Sequence, residues 1–177
     1  EKVEECIATS KLGLDLQESN DGDGTVTLKI YTASSALVLS DVLPVLEHMG
    51  LCVMTEHPFV VKPRSSETSV VIQDFTLSTP DSIDFKKLKS VFESALSGIF
   101  AGTFADDTLN ALTLTAGLPA RDVDIVRTYV RYLRQAGLPF SLSYLEQAVT
   151  TYPAFARASV DYFYTTFDPR VKSRKTS

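Results

Sequence analysis

Between residues 11 and 33, apolar and polar side chains alternate. Leu12, Leu14 and Leu16 are separated by polar neighbours, and Val26, Leu28 and Ile30 repeat the pattern. A period of two places one set of side chains on one face, which predicts two half-buried strands. The intervening Asn20-Asp-Gly-Asp-Gly24 supplies glycines able to take positive φ, which predicts a hairpin loop. From about Ser40 the period lengthens. Val42, Leu43, Leu46 and Met49 share a helical face, with Gly50 as the stop and Pro44 expected in the first turn, where a missing N–H costs little. Residues 51–62 and 69–79 then predict two more strands rich in Val, Ile and Phe, joined by the polar Pro63-Arg-Ser-Ser-Glu-Thr68. Pro58, inside the third strand, points to a sheet edge or a bulge. After Pro80, a helix is expected from near Asp84, its Phe85, Leu88, Phe92, Leu96 and Ile99 recurring at helical spacing against the sheet.

This order predicts an α+β fold over residues 1–103: a four-stranded antiparallel sheet with helices on one face, ββαββα. Val3, Cys6 and Ile7 ahead of it read as the tail of a helix. From Asp106 onward the pattern is helical only. Asp106 and Asp107 can cap a helix ending at Gly117, and Pro119 suits the first turn of the next. That helix should turn Val123, Val126, Val130 and Leu133 inward and stop at Gly137. Ser143-Tyr-Leu-Glu146 has the spacing of a capping box. A last helix follows Pro153, with Phe155, Ala158 and Tyr162 as its apolar positions, and ends at Asp168-Pro169. Four short helices thus predict a helical module over 104–170, followed by a polar tail at 171–177.

Charge sharpens that division. Residues 1–103 carry 8 basic and 15 acidic side chains, whereas residues 104–177 carry 9 and 7. The net charge of -5 lacks the basic face that a general nucleic-acid binder needs to displace counterions. No apolar run approaches the ~20 residues that span a bilayer, and no signal-peptide pattern is present, so the expected location is cytoplasmic, without a membrane partner. Cys6 and Cys52 lack the spacing of a staple or metal site and read as buried thiols. The start at Glu1 and the polar end predict a piece of a longer polypeptide.

Candidate chemistry is sparse. His48 and His57, with Glu47 and Glu56 beside them, lie in different elements and share no i, i+4 face, so they do not predict a metal site. No Gly-x-Ser-x-Gly elbow or Gly-x-x-x-x-Gly-Lys loop occurs. Gly22-Asp-Gly24 is followed by no helix and fits a hairpin better than a dinucleotide loop. The acidic pairs Asp21/Asp23, Asp81/Asp84 and Asp106/Asp107 sit at joints, where capping and turns use them. What stands out is Arg127, Arg131 and Arg134, spaced i, i+4 and i+7 on one helical stripe, with Tyr129 and Tyr132 between them. Arg and Tyr anchor interfaces, so these five are the interface candidates; a solvated charged face is the plainer alternative. No catalytic, cofactor or metal residue is assigned, and a self-contained enzyme is the weakest reading.

Several stretches resemble the amino-terminal region of the large bacterial NAD-specific glutamate dehydrogenases. They are Ser40-Asp-Val-Leu-Pro-Val-Leu-Glu47, Met49-Gly-Leu51, Glu56-His-Pro-Phe59, Ile72-Gln-Asp-Phe75, the run from Arg127 to Phe140 with its Tyr-Leu-Arg-Gln core, and Phe167-Asp-Pro169. The resemblance runs from about residue 1 to 169. It implies an ACT-like regulatory domain followed by the start of a helical region, in a parent homo-oligomer that oxidatively deaminates L-glutamate with NAD. NAD is then the parent's cofactor, with none held by this part. The partners implied are the rest of the parent polypeptide and its other subunits. An amino-acid-sensing ACT module is the alternative, with an amino-acid effector as its partner. Thr32-Ala-Ser-Ser-Ala-Leu37 stands where a glycine-containing effector loop is expected.

Overall fold

A computed structural model describes residues 2–18, 25–63, 66–79 and 85–170. Outside them lie the Asn20–Gly24 hairpin loop, the Asp21/Asp23 and Asp81/Asp84 pairs, Arg64-Ser65, Pro80 and the 171–177 tail. The inward place expected of Phe85 also falls outside what is described.

The elements run α1 (Lys2–Thr9), β1 (Gly13–Glu18), β2 (Thr25–Ala33), α2 (Leu39–His48), β3 (Cys52–Val61), β4 (Val70–Ser78) and α3 (Phe85–Phe100). All strand pairs are antiparallel, in the order β1-β2-β4-β3. From β2 through α3 the order is βαββα; the strand that would complete a βαββαβ unit comes first, as β1. The alternation in β1 and β2 is what the sheet requires. Leu14, Leu16, Val26, Leu28 and Ile30 join Phe75 and Leu77 on one face, and α2 and α3 close over it. Phe92 and Leu96 of α3 are fully buried there, each contributing roughly 1.5–3 kcal/mol by leaving water. Leu88 is half-buried.

The opposite face carries an addition. α1 lies on it, with Cys6 packed against Tyr31 and Val70. β3 is an edge strand, as Pro58 implies, and its register shifts between Val53 and Thr55. Both devices discourage further strand pairing there. Edge strand β1 is guarded differently: Glu93 of α3 accepts the Leu16 N–H at 2.8 Å, and Lys89 donates to Asp15 at 2.6 Å. That bond to Asp15 is the main reason the lysine's pKa stands above its ordinary value.

Past α3 the chain forms a 3-10 turn (Thr108–Ala111), α4 (Leu112–Thr115), α5 (Ala120–Gln135), α6 (Leu142–Thr151) and α7 (Pro153–Phe167). Asp107 caps the 3-10 turn by accepting the Leu109 N–H. Leu109, Leu112, Leu118, Val123, Val126, Val130, Ala156 and Val160 form a second core. Leu114 of α4 belongs to the first core, and Phe104 packs against that same core with its ring close to Gly98 of α3. No helix among the described residues is long and apolar enough to cross a membrane.

Several local expectations are corrected. Pro44 sits in the second turn of α2 rather than the first, because the helix starts at Leu39. Val45, in addition to Val42 and Leu46, is buried in α2, while Leu43 is half-buried. Ser141, not Ser143, caps α6 by accepting the Tyr144 N–H, and Glu146 accepts instead from the Thr108 hydroxyl. Pro119 precedes α5 as its N-cap residue. Cys52 is exposed at the start of the edge strand, whereas Cys6 is buried. Leu133 is not inward but 40% exposed, and α7 buries Ala156 and Val160 instead of Phe155, Ala158 and Tyr162.

Candidate interaction surface of the helical module

The five interface candidates do not form one face. Arg127 is buried, at 4% exposure, and its guanidinium is fully engaged inside the module. Nε and Nη2 donate to the two oxygens of Asp107 at 2.6 and 2.8 Å, Nη2 also reaches the Asn110 side-chain oxygen at 2.9 Å, and Nη1 pairs with Asp124. Burial is the largest influence on this group and works against its charge. The bonds and charges of Asp107 and Asp124 outweigh it, so the pKa stands above the ordinary arginine value. Arg127 therefore joins α5 to the 3-10 turn and is withdrawn from the interface candidates. A buried arginine needs such partners: Asp124 supplies one from within α5, and Asp107 and Asn110 supply the others from the 3-10 turn and its cap.

Arg131 and Arg134 are exposed, as is Tyr132. Tyr129 is half-buried, its ring edge-on to Phe163 with centroids 6.4 Å apart. Tyr129 and Tyr132 turn toward α7. There they line an apolar groove of about 490 Å³, whose floor is Val126, Val130 and Ala156 and whose rim is Leu133, Phe155 and Tyr162. Reading residues one helix at a time missed this groove. The available signal was a surplus: α7 carries Phe155, Tyr162, Phe163 and Phe167 beyond the two residues it buries, more apolar surface than one stripe needs.

The histidines stay apart in chemistry as well as in sequence. His48 Nδ1 lies 2.9 Å from the Asp106 carboxylate, linking the end of α2 to the start of the helical module. His57 pairs across the ladder with Asp74. Among the described residues, no three His, Cys, Asp or Glu side chains gather as a metal site.

A second concavity, of about 430 Å³, opens at the β2–α2 loop between Lys11, Thr32, Ser34 and Ser35. Here Ser34 takes the left-handed conformation a glycine would favour, with φ at 70° and its N–H bonded to the Ser69 carbonyl at 2.9 Å. The loop is pinned from within. Gln73, 2% exposed, accepts the Leu37 N–H at 2.8 Å and donates to the Leu37 carbonyl at 3.1 Å and to Glu56 at 3.3 Å. The Thr32 hydroxyl oxygen is buried without a hydrogen-bond partner among the described residues.

Residues 11–89 match the model "Glutamate dehydrogenase, ACT3 domain", and residues 104–169 match "Glutamate dehydrogenase, helical motif 3". An NAD-specific glutamate dehydrogenase of Pseudomonas aeruginosa is 36% identical over 148 residues, 82% of this chain. Proteins of the same description from Halomonas elongata and Mycobacterium tuberculosis are each 34% identical, over 89% and 84% of the chain. The chain spans about a tenth of the length of these relatives, from 9% to 10%. Two successive matches to parts of one enzyme, falling on the sheet and on the helices in turn, place this chain in the glutamate dehydrogenase family, in which it corresponds to the ACT3 domain and helical motif 3.

Proposed function

We propose that this chain is a non-catalytic regulatory and assembly region of an NAD-dependent glutamate dehydrogenase. The parent enzyme oxidatively deaminates L-glutamate to 2-oxoglutarate and ammonia with NAD, as a cytoplasmic homo-oligomer. Residues 1–103 act as an ACT-like module and residues 104–170 as a helical module that docks onto the rest of the parent. The observation that carries this reading is the pair of successive glutamate dehydrogenase matches on a chain spanning a tenth of its relatives. Arg131, Arg134 and the exposed Tyr132 are the docking side chains in this reading, with Tyr129 supporting them from its half-buried place. NAD and the reacting glutamate are left to the remainder of the parent.

The test is Arg131→Ala/Arg134→Ala in the full-length enzyme, with oligomer mass and glutamate-dependent NAD reduction as readouts. Both side chains are exposed, so the fold survives their loss. Weakened assembly or turnover is expected; unchanged values in both assays would sink the reading.

A second reading is an amino-acid sensor, and the β2–α2 concavity favours it. Lys11, Ser10, Ser34 and Ser35 line it as polar groups for a small zwitterion, and the Thr32 hydroxyl buried beside them has no hydrogen-bond partner among the described residues. A ligand at a hundredfold its Kd adds about 2.7 kcal/mol of stability. An amino acid that raises Tm in the unaltered protein but not in Thr32→Val would support the sensor, and no shift with any amino acid would remove it.

A further inference from the structure

We infer that the apolar groove between α5 and α7 seats an amphipathic helix from another part of the same parent polypeptide. The inference rests on the assembly reading above and supplies the partner it leaves open. Tyr132, Leu133, Phe155 and Tyr162 are 64%, 40%, 63% and 58% exposed, side by side over a floor of buried valines and alanine. Scattered apolar residues need no explanation, but four large ones along one groove mark a contact surface.

The chemistry of the occupant follows from the walls. None of the lining side chains is charged, and only Ser159 and the tyrosine hydroxyls are polar, so the contacting face of the occupant is uncharged and apolar. Both long walls are helices whose backbone groups are bonded internally, which leaves no strand edge to extend. Recognition is therefore by side chains entering a groove, the mode that a helix serves with residues at i, i+3, i+4 and i+7. α5 and α7 are 16 and 15 residues long, which limits the seat to about 24 Å, roughly four helical turns.

The source follows from the comparison. The 148 matched residues are 9% of the Pseudomonas aeruginosa relative, so most of such a polypeptide lies outside this region and is tethered to it. A tethered segment meets the groove at a high effective concentration that a free partner cannot match.

The test uses the full-length enzyme and an internal control. Tyr152 is 66% exposed and lies outside the groove. Under hydroxyl-radical labelling, Tyr132, Phe155 and Tyr162 should be modified about tenfold more slowly than their exposure here and the Tyr152 rate imply, in proportion to lost contact with water. With Leu133→p-benzoylphenylalanine, illumination should trap a helical peptide from outside residues 1–177 of the parent. Phe155→Asp/Tyr162→Asp should abolish that product; both side chains are exposed, so the core is untouched.

Labelling of the groove as fast as Tyr152 would overturn the inference. So would a crosslink to residues 1–177 of a second copy, or to an unrelated protein. An open groove in an enzyme whose assembly still fails in Arg131→Ala/Arg134→Ala would remove the groove and leave the assembly reading standing.

Discussion

Asp107 grips the fork of Arg127 with both carboxylate oxygens, at 2.6 and 2.8 Å, while its own Oδ1 also caps the 3-10 turn through the Leu109 N–H at 3.2 Å. One carboxylate thus ends an irregular turn and neutralises a buried charge on α5. Arg127→Met should cost about 3 kcal/mol, because it strands Asp107 and the buried Asn110 beside an apolar side chain. Arg127→Lys keeps the charge and loses the fork, so it should fall between the two. Urea denaturation measures both, and a loss below about 0.5 kcal/mol in Arg127→Met would contradict the network's structural role.

Gln73 does for the sheet what Arg127 does for the helices. It holds both backbone groups of Leu37 with its one amide. Gln73→Leu should destabilise the protein by about 1–3 kcal/mol, since the loop's N–H and carbonyl lose their partner. Hydrogen exchange at the Leu37 amide should accelerate by more than at amides in α5. Equal acceleration at both places would mean that the loop is not held locally by this side chain.

Gly98 is set by close approach. A Cβ there would lie 2.5 and 2.7 Å from atoms of the Phe104 ring, while the Gly98 carbonyl accepts the Thr103 N–H at 2.8 Å. Gly98→Ala should lower stability by about 1–3 kcal/mol through overpacking. Gly98→Ala/Phe104→Leu should recover part of that loss, because the obstructing ring is gone. Thermal unfolding of the two variants decides it; absence of any recovery would place the strain in the backbone.

Alkaline pH should loosen the face that α1 covers. Burial, and secondarily the charge of Glu5, raises the Cys6 thiol above its ordinary 9.0. Burial likewise raises Tyr31 above its ordinary 10.0, with Asp15 and Asp74 adding to it. With folded pKa values above unfolded ones, the native state binds more protons once pH passes about 9. The stabilisation is complete below that value and is lost as pH rises through the folded pKa. Stability should fall from pH 9 upward, with a slope of at most about 1.4 kcal/mol per pH unit from Cys6 alone. Cys6→Ala should flatten the pH 9–10 portion. An unchanged slope in that variant would assign the alkaline loss elsewhere.

Strand and helix identities were legible because each rests on the residue's immediate neighbours. The period-two run through Leu14 and Leu16, the helical spacing of Phe92, Leu96 and Ile99, and the edge position of Pro58 all appear as the sequence predicts. Capping was legible only to within two residues: Ser141 and Ser143 both suit the role locally, and it is Ser141 that takes the extended backbone of a cap and accepts the Tyr144 N–H.

Burial on the helical module was not legible. Val123, Val126 and Val130 are inward as their spacing implies, but Leu133, one helical step on, is exposed at the rim of the groove between α5 and α7. Phe155 and Tyr162 form as good an apolar stripe as Ala156 and Val160; which stripe is buried depends on where α5 stands, not on α7 itself. The arginines show the same division. Their spacing correctly placed Arg127, Arg131 and Arg134 on one helix, yet Arg127 is interior because Asp107 and Asn110 reach it from another element. Periodicity is a property of one element and is written in its own residues. Contact between elements depends on their relative placement, and only the tertiary structure decides whether a charge is paired or a leucine is left in water.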